Sequence, residues 1–98
     1  MRRKKQHWWR ASREGHPEVA QLLIEAGADV NAQYRDGYGY TALMEASERG
    51  NIEVVRMLIE AGADVNARNK YGRTALEWAS SHGHQEVAQL LIEAGAKE

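Results

Sequence analysis

The sequence has no cysteine and no phenylalanine, and no apolar run in it approaches the ~20 residues that a bilayer-spanning helix requires. Without cysteine neither a disulfide framework nor a thiolate metal site can form, and a reducing compartment is tolerated. No signal-peptide core follows the basic start, so the expectation is a soluble protein. Catalytic motifs are missing as well: there is no Gly-rich phosphate loop and no His-Glu-x-x-His. Glu45 and Glu48, spaced i, i+3, suit a solvated helix face as well as they suit acid–base work. His82, His84 and Glu86 have metal-like spacing, but His84 recurs as His16 and Asn51 beside a glycine at a fixed interval, which marks a structural position. Neither a metal, a cofactor nor an enzymatic activity is expected. With 98 residues, 43% of them hydrophobic, the chain has room for one small domain and no large cavity.

What is present is repetition. Gly27-Ala28, Gly62-Ala63 and Gly95-Ala96 lie 35 and then 33 residues apart, and Gly15, Gly50 and Gly83 keep the same two intervals. Between these markers the copies read E-V-A-Q-L-L-I-E-A-G-A, E-V-V-R-M-L-I-E-A-G-A and again E-V-A-Q-L-L-I-E-A-G-A, so the outer two are identical over eleven residues. Val19, Leu22, Leu23 and Ala26, with Val54, Met57, Leu58 and Ala61 and then Val87, Leu90, Leu91 and Ala94, follow the i, i+3, i+4, i+7 spacing of a buried helical face. A second helix precedes each of these. Thr41 and Thr74 cap it, the latter with Glu77 in a capping box, whereas Gln6-His7-Trp8 offers no cap and predicts a fraying first helix. Trp8 takes the core slot of Leu43 and Leu76, and Ala11, Ala46 and Ala79 provide small residues where helices approach closely. The glycines end the helices, Pro17 and Asn51 open the second helix of their units, and Ala20 and Ala88 replace the middle copy's Val55 as an end adaptation.

A unit built from T-A-L, A-S, G-[HN], E-V and G-A-D-V-N-A at a period near 33 closely resembles the ankyrin repeat, a β-turn followed by two antiparallel helices. The resemblance covers nearly the whole chain. It implies an all-α solenoid of three helix-turn-helix units with hairpin loops between them, a single domain over residues 1–98 with repeats near 1–33, 34–68 and 69–98. The family's usual Pro and His after the opening Thr are missing: Ala42 and Ala75 stand for the Pro, Met44 and Glu77 for the His. The first turn is also longer by two residues than the second, with Asp36-Gly37 a favoured hairpin tip and Tyr38 and Tyr40 on one side of it by strand alternation.

Ankyrin proteins grip other proteins with their first helices and turn tips, so the resemblance implies non-catalytic protein binding. Positions where the copies disagree then report the ligand: Trp9, Met44 and Glu77 form one row, Arg10, Glu45 and Trp78 a second, Arg13, Glu48 and Ser81 a third. With the tyrosines of the turns, the expected contact residues are Trp9, Arg10, Arg13, Tyr34, Tyr38, Tyr40, Met44, Glu45, Glu48, Tyr71, Trp78 and Ser81, of types that interfaces concentrate. Identical outer helices and the absence of Cys and Phe point to a consensus-based, engineered binder. Two rival readings stand beside this one. An aromatic-acid cage of Trp9, Trp78, Glu45 and Glu77 would recognise a methylated lysine by cation–π attraction. A basic arm, Arg2-Arg3-Lys4-Lys5 followed by Trp8 and Trp9, has the composition of a nucleic-acid contact, although residues 1–13 carry +6 and the remainder −7, which repels phosphate. The partner expected is another protein, with no membrane contact and nucleic acid disfavoured.

Overall fold

Three helical hairpins follow one another in a computed structural model that describes residues 3–34 and 37–97. They are α1 (Arg3–Glu14) with α2 (Pro17–Glu25), α3 (Ala42–Arg49) with α4 (Ile52–Glu60), and α5 (Ala75–Ser81) with α6 (Gln85–Glu93). Helices α1, α3 and α5 pack side by side in a first layer, and α2, α4 and α6 form a second layer against it. Among the described residues there is no strand; an isolated antiparallel bridge joins Tyr34 to Tyr40. The fold is the all-helical repeat solenoid that the repetition implies.

Short helices of seven to twelve residues are marginal alone, so their ends matter. Thr41 Oγ1 accepts the Met44 amide at 3.2 Å, and Thr74 Oγ1 accepts the Glu77 amide at 3.3 Å while Glu77 Oε1 accepts the Thr74 amide at 3.2 Å. Each second helix closes with a Schellman pair: the amides of Ala28, Ala63 and Ala96 donate to the carbonyls of Leu23, Leu58 and Leu91 at 3.0, 3.0 and 2.9 Å. The first helix departs from expectation. Gln6, His7 and Trp8 do not form an uncapped end, because α1 begins at Arg3 and runs through them. Arg, Lys and Gln are good helix formers and no proline or glycine interrupts them, so the helix continues past the place where the other units turn.

The repeats are registered by hydrogen bonds that recur from turn to turn. Asp29 Oδ1 accepts the Asn31 amide at 2.9 Å, and Asn31 in turn accepts the Asp64 amide at 2.6 Å and donates to the Gly62 carbonyl at 3.4 Å. One unit later Asp64 holds the Asn66 amide at 3.0 Å, and Asn66 donates to the Gly95 carbonyl at 3.2 Å and accepts the Lys97 amide at 2.9 Å. In each Asp-Val-Asn step the Asp stiffens the turn and the Asn hooks the next one. Asn51 is not the side-chain cap that the sequence suggests: it makes no capping bond, and its Nδ2 donates across to the Ser12 carbonyl. His84 does the equivalent work, its Nε2 lying 3.0 Å from the Glu48 carbonyl.

The core corrects the apolar pattern of the second helices. Val54, Val55 and Leu58 are fully buried, as are Ala20, Val87 and Leu91, whereas Leu22 is 65% exposed and Ala26 and Ala94 are exposed. With about 100° per residue, the buried arc is i, i+1, i+4 instead of i, i+3, i+4, i+7. The helix is rotated so that Ala20, Val55 and Ala88 face the first layer, where small or β-branched side chains permit a close approach. Ala20 is thus a packing residue and no end adaptation. Of the Leu22, Met57 and Leu90 row only Leu22 reaches the rim, Met57 and Leu90 being half-buried against the core, and Leu22 and Met57 line a shallow depression between α2 and α4 with Pro17, Glu18, Gln21 and Glu53.

Candidate functional site

The first layer and the turn that follows it hold most of the expected contact residues, and the structure sorts them by depth. Three lie in the interior. Tyr34 is 7% exposed, its backbone bridges Tyr40 and its hydroxyl donates to the Thr41 carbonyl at 3.3 Å, so it pins the lengthened turn onto the start of α3. Met44 and Glu45 are 1% and 0% exposed. Helix α3 has a first-layer neighbour on each side and α4 behind it, and all seven residues from Thr41 to Ser47 are buried. Side chains that would project freely from an end helix are covered here; Glu45 stays within 3.9 Å of Arg49 one turn on. Tyr34, Met44 and Glu45 therefore face the protein and not a partner.

The remaining residues reach solvent to different degrees. Arg10, Arg13 and Ser81 are exposed, Glu48, Tyr40 and Trp78 are half-buried, and Tyr38 and Tyr71 are 44% and 62% exposed. Trp9 belongs to α1, but its side chain lies outside the described residues. Tyr38 stacks on Tyr71 at 6.0 Å, which couples the first turn to the second, and the Lys70 amide donates to the Tyr38 carbonyl at 2.7 Å. Tyr40 meets Trp78 at 5.6 Å, Trp78 meets His82 at 6.0 Å, and His82 stacks on His84 at 6.4 Å. Rings thus run from the turn tips along α5.

Cations cover this row, and they were not among the residues expected from sequence. Lys70 Nζ lies 5.5 Å from the Tyr38 ring centre, and the Arg73 guanidinium 5.4 Å from that of Trp78. Their presentation depends on Asn69, 6% exposed, whose Oδ1 accepts the amides of Tyr71 and Arg73 at 2.8 and 3.0 Å. One side-chain oxygen thereby ties up the whole tip, and Arg68 adds a bond from Nη1 to the Gly72 carbonyl at 3.1 Å. A signal was available in sequence: Arg68, Lys70 and Arg73 occur with no acid between Asp64 and Glu77.

Of the aromatic-acid cage, the Trp9 side chain lies outside the described residues and the other three members are engaged within the chain. Glu77 is held in its capping box, Glu45 is buried, and Arg73 already lies over Trp78. The histidine cluster is likewise committed, His84 to the Glu48 carbonyl and His82 beside the Trp78 carbonyl at 3.1 Å with Glu48 Oε2 at 3.7 Å. Among the described residues no group of three His, Asp or Glu could hold a metal ion, and no helix is long and apolar enough to cross a membrane.

Paired helices in two layers, hooked turn to turn by Asp-Val-Asn steps, are the geometry of a helical repeat protein. A family profile described as ankyrin repeats, in three copies, matches residues 8–98. The chain belongs to the ankyrin-repeat family, a generally non-enzymatic fold whose members typically bind other proteins. A search of curated proteins found no match.

Proposed function

We propose that this chain acts as one three-repeat unit that binds another protein through an accessible strip of the first layer and the two turn tips, with no catalytic step. The observation that carries this reading is the ring row from Tyr71 and Tyr38 to Tyr40, Trp78 and His82, partly exposed and held in place before any partner arrives. Tyrosine and tryptophan offer large contact areas at small rotamer cost, and pre-ordering them lowers the entropy lost on association. Identity of the outer second helices over eleven residues supports a consensus-built frame on which these residues were chosen for binding, as in an engineered binder. Contacts are supplied by Arg10, Arg13, Tyr38, Tyr40, Glu48, Tyr71, Trp78 and Ser81, while Tyr34, Met44 and Glu45 support the strip from beneath.

Site-specific photocrosslinking tests the surface even while the partner is unidentified. A benzophenone amino acid at position 38 or 71 is expected to capture a protein, and the same group at the exposed position 22 on the second layer to capture none. Crosslinks from position 22 alone would move the binding face to the second layer. Once a partner is in hand, Tyr38→Ala and Tyr71→Ala should each weaken binding by more than ~1 kcal/mol with the helical circular-dichroism signal unchanged.

A further inference from the structure

The formal charge of −1 is divided between the layers. Helices α2, α4 and α6 carry six acidic residues and one basic residue, Arg56, for a net −5. The first-layer helices together with the 68–73 turn carry nine basic residues and four acidic ones, for a net +5. The second layer is acidic in every helix, whereas the positive charge of the first comes from α1, at +4, and from the turn, at +3, with α3 and α5 each at −1. At physiological ionic strength screening acts over about 8 Å, so a partner docked on one layer is weakly influenced by exposed charges of the other.

Within the positive layer the 68–73 turn is distinctive. Arg68, Lys70 and Arg73 are exposed and none pairs with a carboxylate of a described residue, whereas Arg49 has Glu45. Two of the three are held over rings, Lys70 over Tyr38 and Arg73 over Trp78, and the backbone between them is clamped by Asn69. Cations fixed on aromatic faces have lost part of their rotamer freedom and keep their N–H donors for a new acceptor. Arg offers a planar fork that matches a carboxylate. Exposed Tyr71 and Tyr38 beside them supply apolar contact.

Resting on the protein-binding reading above, we infer that the partner engages this turn with an acidic segment, carboxylate side chains facing Arg68, Lys70 and Arg73 and an apolar or aromatic residue lying on the Tyr38–Tyr71 pair. A protein ligand is favoured over a nucleic acid because Glu14, Glu48 and Glu77 stand on the same first layer, where a continuous phosphate track would meet them, whereas a short peptide segment is confined to the turn.

Selection of a phage-displayed random twelve-residue peptide library on the immobilised protein tests the proposal. Enriched peptides are expected to carry net negative charge with at least one aromatic or large aliphatic residue. Their affinity should fall about tenfold or more for Lys70→Glu with Arg73→Glu, and less, in the same direction, for Lys70→Gln with Arg73→Gln. Gln21→Glu, Arg56→Glu and Gln89→Glu together change the net charge as much as the double reversal, but on the second layer, and should leave affinity unchanged. Neutral or basic peptides that are lost with Tyr38→Ala and Tyr71→Ala would overturn the acidic segment and leave the binding strip standing. Absence of enrichment, or peptides indifferent to both the rings and the cations, would overturn both. A fluorescent twenty-residue oligothymidylate binding through Lys70 and Arg73 more tightly than any selected peptide would overturn the acidic segment in favour of nucleic acid.

Discussion

At the scale of single residues, the same sequence position does different work in different units. Gly50 and Gly83 both stand after a first helix with φ of +73° and +75°, a left-handed conformation that costs an L-residue about 1–2 kcal/mol. A Cβ on Gly83 would meet nothing within 4 Å, but one on Gly50 would lie 2.5 Å from the His84 ring. Gly50→Ala should therefore destabilise more than Gly83→Ala in urea denaturation, and the difference should shrink in a His84→Ala background, which a double-mutant cycle measures. Equal costs would mean that His84 turns aside freely. Leucines of the second layer rank in a similar way. Leu58 and Leu91 are 0% exposed and Leu23 is half-buried, so Leu58→Ala and Leu91→Ala should each cost ~2–5 kcal/mol, with Leu58 the larger because α4 packs on both α2 and α6. Leu23→Ala should cost least; finding it the most damaging would contradict the helix rotation described above.

Elements cohere here through their ends more than through helix propensity. Seven-residue α5 has the capping box and α1 has twelve residues and no acid in its first turn, where a negative charge would suit the dipole. Thr74→Ala breaks a reciprocal pair and should cost about 1 kcal/mol. Between elements, the Asn31 and Asn66 side chains each make two bonds to the following unit. A net 0.5–1.5 kcal/mol per bond is typical, tempered here by solvent exposure, so Asn31→Ala and Asn66→Ala should each lower stability by roughly 1 kcal/mol. Because Asn31 ties the first unit to the second, its loss should speed amide exchange in α2 more than in α6, and Asn66→Ala should do the reverse. Identical exchange profiles for the two variants would show that the hooks do not set the inter-repeat coupling.

For the whole molecule, stability is a sum of unit and nearest-neighbour terms, and the middle unit has two neighbours. Seven consecutive buried residues, Thr41 to Ser47, are the structural expression of this. Native-state hydrogen exchange should find the slowest amides in α3, at Glu45 to Ser47, where the backbone ladder begins, with α2 and α6 opening at lower free energy. Slowest exchange in α6 would require the third unit to be the stable nucleus. Charge division between layers adds a second expectation: raising salt should weaken association through the first layer chiefly by slowing encounter, as surface steering does.

The sequence by itself determined the period, the Thr41 and Thr74 caps, the glycine-closed helix ends and the small-residue contacts, since these are local or repeated in each copy. Ala11, Ala46 and Ala79 are 0% exposed and Trp8 1%, as their alignment with one another and with Leu43 and Leu76 implies. Helix caps and Schellman turns involve residues within a turn or two of each other, so their spacing is written directly in the chain. Tertiary structure decided what depends on how one unit rotates and stacks on the next, some 35 residues away. It turned the Asn51 side chain from a cap into a bridge to the Ser12 carbonyl, and it placed Leu22 at the rim. It also buried Met44 and Glu45, whose variability marked them for a partner, because α3 is covered on both sides, and it buried Tyr34 by bridging it to Tyr40 and bonding it to the Thr41 carbonyl. Conversely it lifted Lys70 and Arg73 onto the rings of Tyr38 and Trp78. Variation among repeats shows which positions are free of the shared frame, but which of those reach solvent is settled by the neighbours that a helix packs against.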